Sequence, residues 1–151
     1  MPIRYSVAAM ALTAAASACH AQSVQESRHR EVQAGMHMYE AAKADPELAR
    51  GFAQAAKPVI GAAPWVSNYG TTSPAEREEI DGRSYLVFHG CKPHDCITES
   101  YTILYDPAGR RIHGGAFVRS EYDGAILTGS RITWLGKTEF ESASVIGKYL
   151  Y

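Results

Sequence analysis

Cys91-Lys92-Pro93-His94-Asp95-Cys96 gathers two thiols, an imidazole, a carboxyl group and an ammonium around a proline within six residues. Such a set is open to several chemistries. A metal site would draw on Cys91, Cys96, His94 and Asp95, joined by His89 or His113. Structural zinc, however, uses a second close-spaced ligand pair, and its thiolates must be reduced. A redox role fits less well, because the two-residue spacing of thiol oxidoreductases is absent. A Cys–His nucleophile needs a free thiol. In an oxidising compartment the cysteines would instead bridge each other and close a small loop, a constraint worth roughly 2 kcal/mol on a chain-entropy model. Pro93 removes further backbone freedom and one donor just before His94. The plainest outcome is a closed hairpin loop with a solvated histidine. The sharper one is a stiff loop built to present an imidazole outward.

The first residues bear on the compartment. Arg4 precedes an alanine-rich apolar run from Ser6 to Ala16, small residues stand near Ala18 and Ala21, and no acid occurs before Gln22. This is the pattern of a secretory signal peptide, too short and too poor in large apolar side chains for a membrane span. Cleavage after Ala21 leaves residues 22–151, beginning at Gln22, as one domain. Cleavage after Ala18 would put Cys19 first, as in a lipoprotein, but Ala16 stands where such signals carry a larger aliphatic residue. Export without a lipid is the expectation. The chain has three cysteines. Loss of Cys19 with the leader leaves only Cys91 and Cys96, hence one local disulfide that shapes a surface and does not hold the fold.

The formal charge of the chain is -1, and removing a leader with one basic residue changes it little. Nothing resembles the basic footprint of a nucleic-acid binder. No repeat or second apolar span follows the leader, so no membrane insertion is expected. The remainder is long enough for a single core.

The elements that must position the loop change character once along the chain. Glu31 to Lys57 reads as helical, with apolar spacing through Met36, Tyr39 and Ala42, then Leu48, Phe52 and Ala55. Asp45-Pro46-Glu47 is a helix start, with a capping acid, proline at the first helical position and an acid in the first turn. Pro58 is expected to end that helix, and Gly61 to Gly70 to form a loop around Pro64, Trp65 and Tyr69. From about Glu76 the pattern becomes strand-like. Asp81-Gly82 is a tight-turn dipeptide before the aromatic and branched run Tyr85-Leu86-Val87-Phe88. Ile97 to Tyr105 reads as the next strand, and Asp106-Pro107-Ala108-Gly109 turns the chain into a strand from Arg111 to Arg119. A short strand at Arg131–Leu135 and a helix within Thr138–Lys148 complete the reading. Helices followed by hairpin-linked strands make an α+β domain: an antiparallel β-sheet with flanking helices, from which the cysteine loop protrudes between neighbouring strands.

The six-residue loop resembles the signature of the Ivy family, periplasmic inhibitors of vertebrate (C-type) lysozyme in Gram-negative bacteria. Pro64-Trp65-Val66, Thr72-Ser73-Pro74-Ala75 and Thr133-Trp134-Leu135 are similar to that family in the same order, so the resemblance runs from about Ala63 to Leu135. It implies periplasmic location and lysozyme as protein partner, with a homodimer as a further association to be tested; the residues themselves show no catalytic constellation, and no metal or other cofactor is expected. It also implies that the bridged loop enters the lysozyme cleft, where His94 meets the two catalytic carboxyl groups. Lys92, Pro93 and Asp95 would shape the loop, and Cys91 and Cys96 would bridge it. The chemistry is consistent. Lysozyme keeps one cleft carboxyl protonated and the other ionised. A neutral imidazole has one acceptor nitrogen and one N–H donor, so it can serve both, whereas lysine only donates and an ionised acid only accepts.

Against an inhibitor that plugs a muramidase stands a second class: a non-inhibitory envelope protein that binds cell-wall glycan or endogenous lytic enzymes. Trp65, Tyr69 and Tyr122 would serve sugar stacking there, although such residues more often belong to a core or its rim. Glu76, Glu78, Glu79 and Asp81 cluster near a turn and read as solvated surface, not as a catalytic group.

Overall fold

A computed structural model describes residues 31–150, so the leader, its cleavage sites and Cys19 lie outside the described residues. Helices α1 (Met38–Ala44) and α2 (Pro46–Ile60) are followed by a 3-10 turn, Pro64–Asn68. Strands β1 (Thr71–Thr72), β2 (Glu76–Ile80), β3 (Arg83–Cys91), β4 (Glu99–Asp106), β5 (Arg111–Asp123) and β6 (Ile126–Leu135) come next, and helix α3 (Phe140–Gly147) is last. The strands form one antiparallel sheet in the order β1-β3-β4-β5-β6, with β2 on the same edge of β3 as β1. The expected α+β architecture is therefore present.

Asp45 caps α2 by accepting the Glu47 backbone N–H at 2.9 Å, with Pro46 at the first helical position. Leu48, Phe52, Ala55, Ala56 and Val59 recur at helical spacing and are all buried. They pack on the sheet face formed by Leu86, Phe88, Tyr101, Ile103, Tyr105 and Phe117. The opposite face carries Tyr85, Val87, Leu104, Ala116 and Val118 against Val145, Ile146 and Leu150. Both faces of the central strands are thus covered, which explains why β3 and β4 read as nearly continuous apolar runs without clean alternation.

Several boundaries differ from the expectation. Pro58 lies inside α2 and does not end it. Both Pro58 and Gln54, whose carbonyl loses its donor there, are exposed, while Val59 beyond them is buried. Water can serve the freed carbonyl, and burial of the last turn offsets the lost bond. Residues 31–37, expected as the start of a helix, are not helical. In α1 the buried residues are Met38, Ala41 and Ala42, whereas Tyr39 is 56 % exposed. β4 begins at Glu99, not Ile97, because Cys96–Thr98 form a turn. β5 and β6 are longer than expected and meet in a hairpin at Gly124-Ala125, with Asp123 paired to Ile126. The expected Asp81-Gly82 hairpin is present, with φ of 50° and 74° at its two central residues, as a type I′ turn requires.

Candidate functional site

The connection from β3 to β4 carries the cysteine loop, at the same end of the sheet as the β5–β6 hairpin. Cys91 and Cys96 are joined in a disulfide with their Cα atoms 4.8 Å apart. Cys91 is buried as the last residue of β3, and Cys96 is exposed. Within the bridge, the Asp95 N–H donates to the Lys92 carbonyl at 3.0 Å and closes a four-residue turn. Pro93 fixes a negative φ at the second position and His94 takes a φ of 65° at the third, the pattern of a type II turn. A left-handed φ at a residue other than glycine is uncommon, although histidine is among the residues enriched there. Pro93 and His94 are exposed.

The remaining loop polar groups fix its shape. Lys92 Nζ lies 2.9 Å from Asp95 Oδ2, which also accepts the Thr98 hydroxyl at 2.6 Å. The Thr98 hydroxyl first, and then Lys92, hold the Asp95 carboxyl below its ordinary range, and bonding to Asp95 raises the Lys92 ammonium. Both groups stay charged across the neutral range. An exposed pair of this kind adds little stability; what it does is set the direction of the turn.

The base of the loop is tied into the core. The Lys92 N–H donates to the Glu99 carbonyl at 3.0 Å. The Glu99 carboxylate accepts the Trp65 indole N–H at 2.7 Å and Arg119 Nε at 2.7 Å, and Arg119 Nη2 also donates to the Ala62 carbonyl. Trp65 stacks on Tyr101 with ring centroids 5.9 Å apart. Tyr101 in turn needs Gly90 opposite it, since a Cβ at that position would come within 2.5 Å of the phenol ring. Of the aromatic residues considered for sugar stacking, Trp65 and Tyr69 are therefore part-buried against the helix-side core, and only Tyr122 is exposed.

Beside the loop a cleft of about 460 Å³ opens between Cys96–Thr98 and the C-terminal residues Tyr149 and Leu150, with His89 among its lining residues. The Thr102 hydroxyl lies 3.2 Å from His89 Nδ1 and 3.4 Å from the Tyr149 carbonyl oxygen. Burial pushes the His89 pKa down and so favours the neutral ring. His113, read as an ordinary strand residue, falls where the β4–β5 register shifts, its ring 4.9 Å from that of Tyr85. Among the described residues no group of three or more His, Cys, Asp or Glu side chains is placed to hold a metal ion. The cysteines proposed as ligands are consumed in the bridge. Among the solvated acids near the turn, Glu78 is engaged, accepting from the Tyr149 hydroxyl at 2.8 Å and pairing with Lys148 at 3.3 Å.

The structure thus brings Cys91, Lys92, Pro93, His94, Asp95 and Cys96 into one bridged turn and leaves His113 apart. Sequence reasoning missed Glu99, Arg119 and Ile97. Arg119 is brought to Glu99 only by the β4–β5 register.

The model of the family described as "Inhibitor of vertebrate lysozyme (Ivy)" matches residues 48–124. That stretch starts inside α2, earlier than the Ala63 expected from the loop's surroundings, and stops at the tip of the β5–β6 hairpin. Two curated relatives, from Escherichia coli strain K12 and from Escherichia coli O157:H7, are each named "Inhibitor of vertebrate lysozyme". Each is 26 % identical over 84 residues, which cover 56 % of this chain and 50 % of the relative. The chain therefore spans about half the length of the curated relatives it matches. With the family model covering half of the chain and its signature loop folded into a bridged, exposed turn, the chain belongs to the Ivy family.

Proposed function

We propose that this chain is a periplasmic inhibitor of C-type lysozyme, and that residues 22–151, released from a leader at Ala21, insert the Cys91–Cys96 loop into the lysozyme cleft. The observation that carries the reading is the placement of His94. It stands exposed at the apex of a turn that a disulfide, a proline, an ion pair and a core-anchored carboxylate all restrain. A loop ordered before binding loses little conformational entropy when it docks. A neutral imidazole delivered to two carboxyl groups in unlike protonation states accepts from the acid and donates to the carboxylate. Lys92, Pro93 and Asp95 set the loop's direction, and no catalytic step is assigned to the chain. The glycan-binding alternative draws less support, since two of its three candidate aromatic residues are packed against the core.

The test is muramidase turnover on bacterial cell walls, with residues 22–151 titrated against C-type, g-type and i-type lysozymes. Saturable inhibition of the C-type enzyme is expected. A folded protein that leaves C-type turnover unchanged at micromolar concentration overturns the reading.

A further inference from the structure

Stable protein–protein interfaces bury about 800 Å² on each partner, drawn from about 20–30 residues a side. The loop tip offers Lys92, Pro93, His94 and Asp95, far short of that area, so surface continuous with the tip must also be covered. The β5–β6 hairpin is the neighbouring projection. Arg119 is the last β5 residue paired with β4, yet β5 continues to Asp123. At about 3.3 Å per residue that is about 13 Å of strand beyond the sheet's shared edge. On the two projections stand Ile97 (68 % exposed), Tyr122 (38 %), Ile126 (69 %) and Leu127 (46 %). Half of the exposed large hydrophobic residues of the described chain are thus concentrated at the end that carries His94.

These side chains are held in place. The Thr98 carbonyl accepts the Ser120 N–H at 2.7 Å, locking the turn that bears Ile97 to β5. The Thr128 hydroxyl donates to the Glu121 carbonyl at 3.0 Å across the hairpin, next to a register shift at Glu121/Tyr122. Ile97 and Tyr122 share the cleft beside the loop. Exposed apolar side chains gathered on two braced projections, on both faces of the hairpin tip, suit a contact region.

We propose that the β5–β6 hairpin tip and Ile97 form a second arm of the inhibitor, which packs on apolar lysozyme surface beside the cleft while His94 enters it. This rests on the inhibitor reading above and names the further residues that set its affinity. The experiment measures lysozyme inhibition constants for Ile97→Asp, Ile126→Asp, His94→Gly and Phe140→Asp, with circular dichroism on each. Phe140 is 83 % exposed but opens α3, after the opposite end of β6. Ile97→Asp and Ile126→Asp are each expected to weaken inhibition roughly tenfold or more, as for anchoring interface residues, and Phe140→Asp less than about twofold. If both isoleucine variants inhibit like the parent while His94→Gly does not, the second arm is overturned and the loop reading stands. If the parent itself fails to inhibit, both are overturned.

Discussion

Arg119 Nε and Nη2 lie 2.7 and 2.6 Å from the same Glu99 oxygen, directly beneath the bridged loop. Trp65 donates to the other oxygen at 2.7 Å, so one carboxylate joins β4, β5 and the 3-10 turn. Glu99 is 12 % exposed at its side chain, and its loss would leave a guanidinium and an indole N–H without their acceptor. Glu99→Ala should therefore cost about 1–3 kcal/mol in thermal unfolding and weaken lysozyme inhibition as the loop base loosens. A variant with parental melting temperature and parental inhibition would show that the anchor is dispensable.

The disulfide acts in the opposite proportion. It closes only the segment from Cys91 to Cys96 and crosses no part of either core. Cys91→Ser combined with Cys96→Ser should weaken inhibition more than it lowers the melting temperature, because preorganisation is what the bridge supplies. Paired calorimetry and inhibition titrations decide this; unchanged inhibition by the double variant would refute it.

Asp45, between α1 and α2, joins the two helices to the β4–β5 turn through Arg110. Its buried carboxylate accepts from Tyr105, from Arg110 at 2.5 Å and from the Glu47 N–H. Burial alone would raise its pKa, but the bonds from Arg110, Tyr105 and Glu47 outweigh it and bring the group from 3.8 to about 2. The unfolded chain then binds the proton more tightly than the folded one, so stability rises with pH through this window. About 2 kcal/mol, present above pH 4, should be lost as the pH falls towards 2. Urea unfolding at several pH values should show this slope, and Asp45→Asn should flatten it.

Intact-mass and amino-terminal analysis of the chain recovered from a periplasmic extract should find Gln22 first and no lipid. A diacylated Cys19 at the amino terminus would contradict this.

The parts of the fold legible in sequence are those with local causes. Asp45-Pro46 and the spacing of Leu48, Phe52 and Ala55 specify α2 because capping and amphipathicity act within a few residues. Asp81-Gly82 marks its hairpin for the same reason. Asp123-Gly124 carried a related signal, with Gly124 at a φ of 59°, but polar residues on β6 mask the period expected of a strand, since this edge strand is mostly exposed. Pro58 misled because tertiary burial of Val59 outweighs a local helix breaker. In the loop, the bridge was legible because its two cysteines lie within six residues. The Glu99–Arg119 anchor was not, since strand register alone unites residues 20 positions apart.

The central claim is that the His94 imidazole is the inhibitory group, and inhibition constants for the parent, His94→Ala, His94→Lys and His94→Gly test it most directly. Glycine removes the ring without opposing the left-handed backbone, so it separates loss of the imidazole from loop strain. His113→Ala serves as the control. Each His94 variant, with its fold verified by circular dichroism, should lose at least roughly tenfold in affinity, about 1.4 kcal/mol. Lysine should not rescue, because an ammonium cannot accept a proton from the acidic partner, and His113→Ala should inhibit like the parent. Parental inhibition by His94→Gly and His94→Ala would contradict the account and shift the affinity to the rim of the loop.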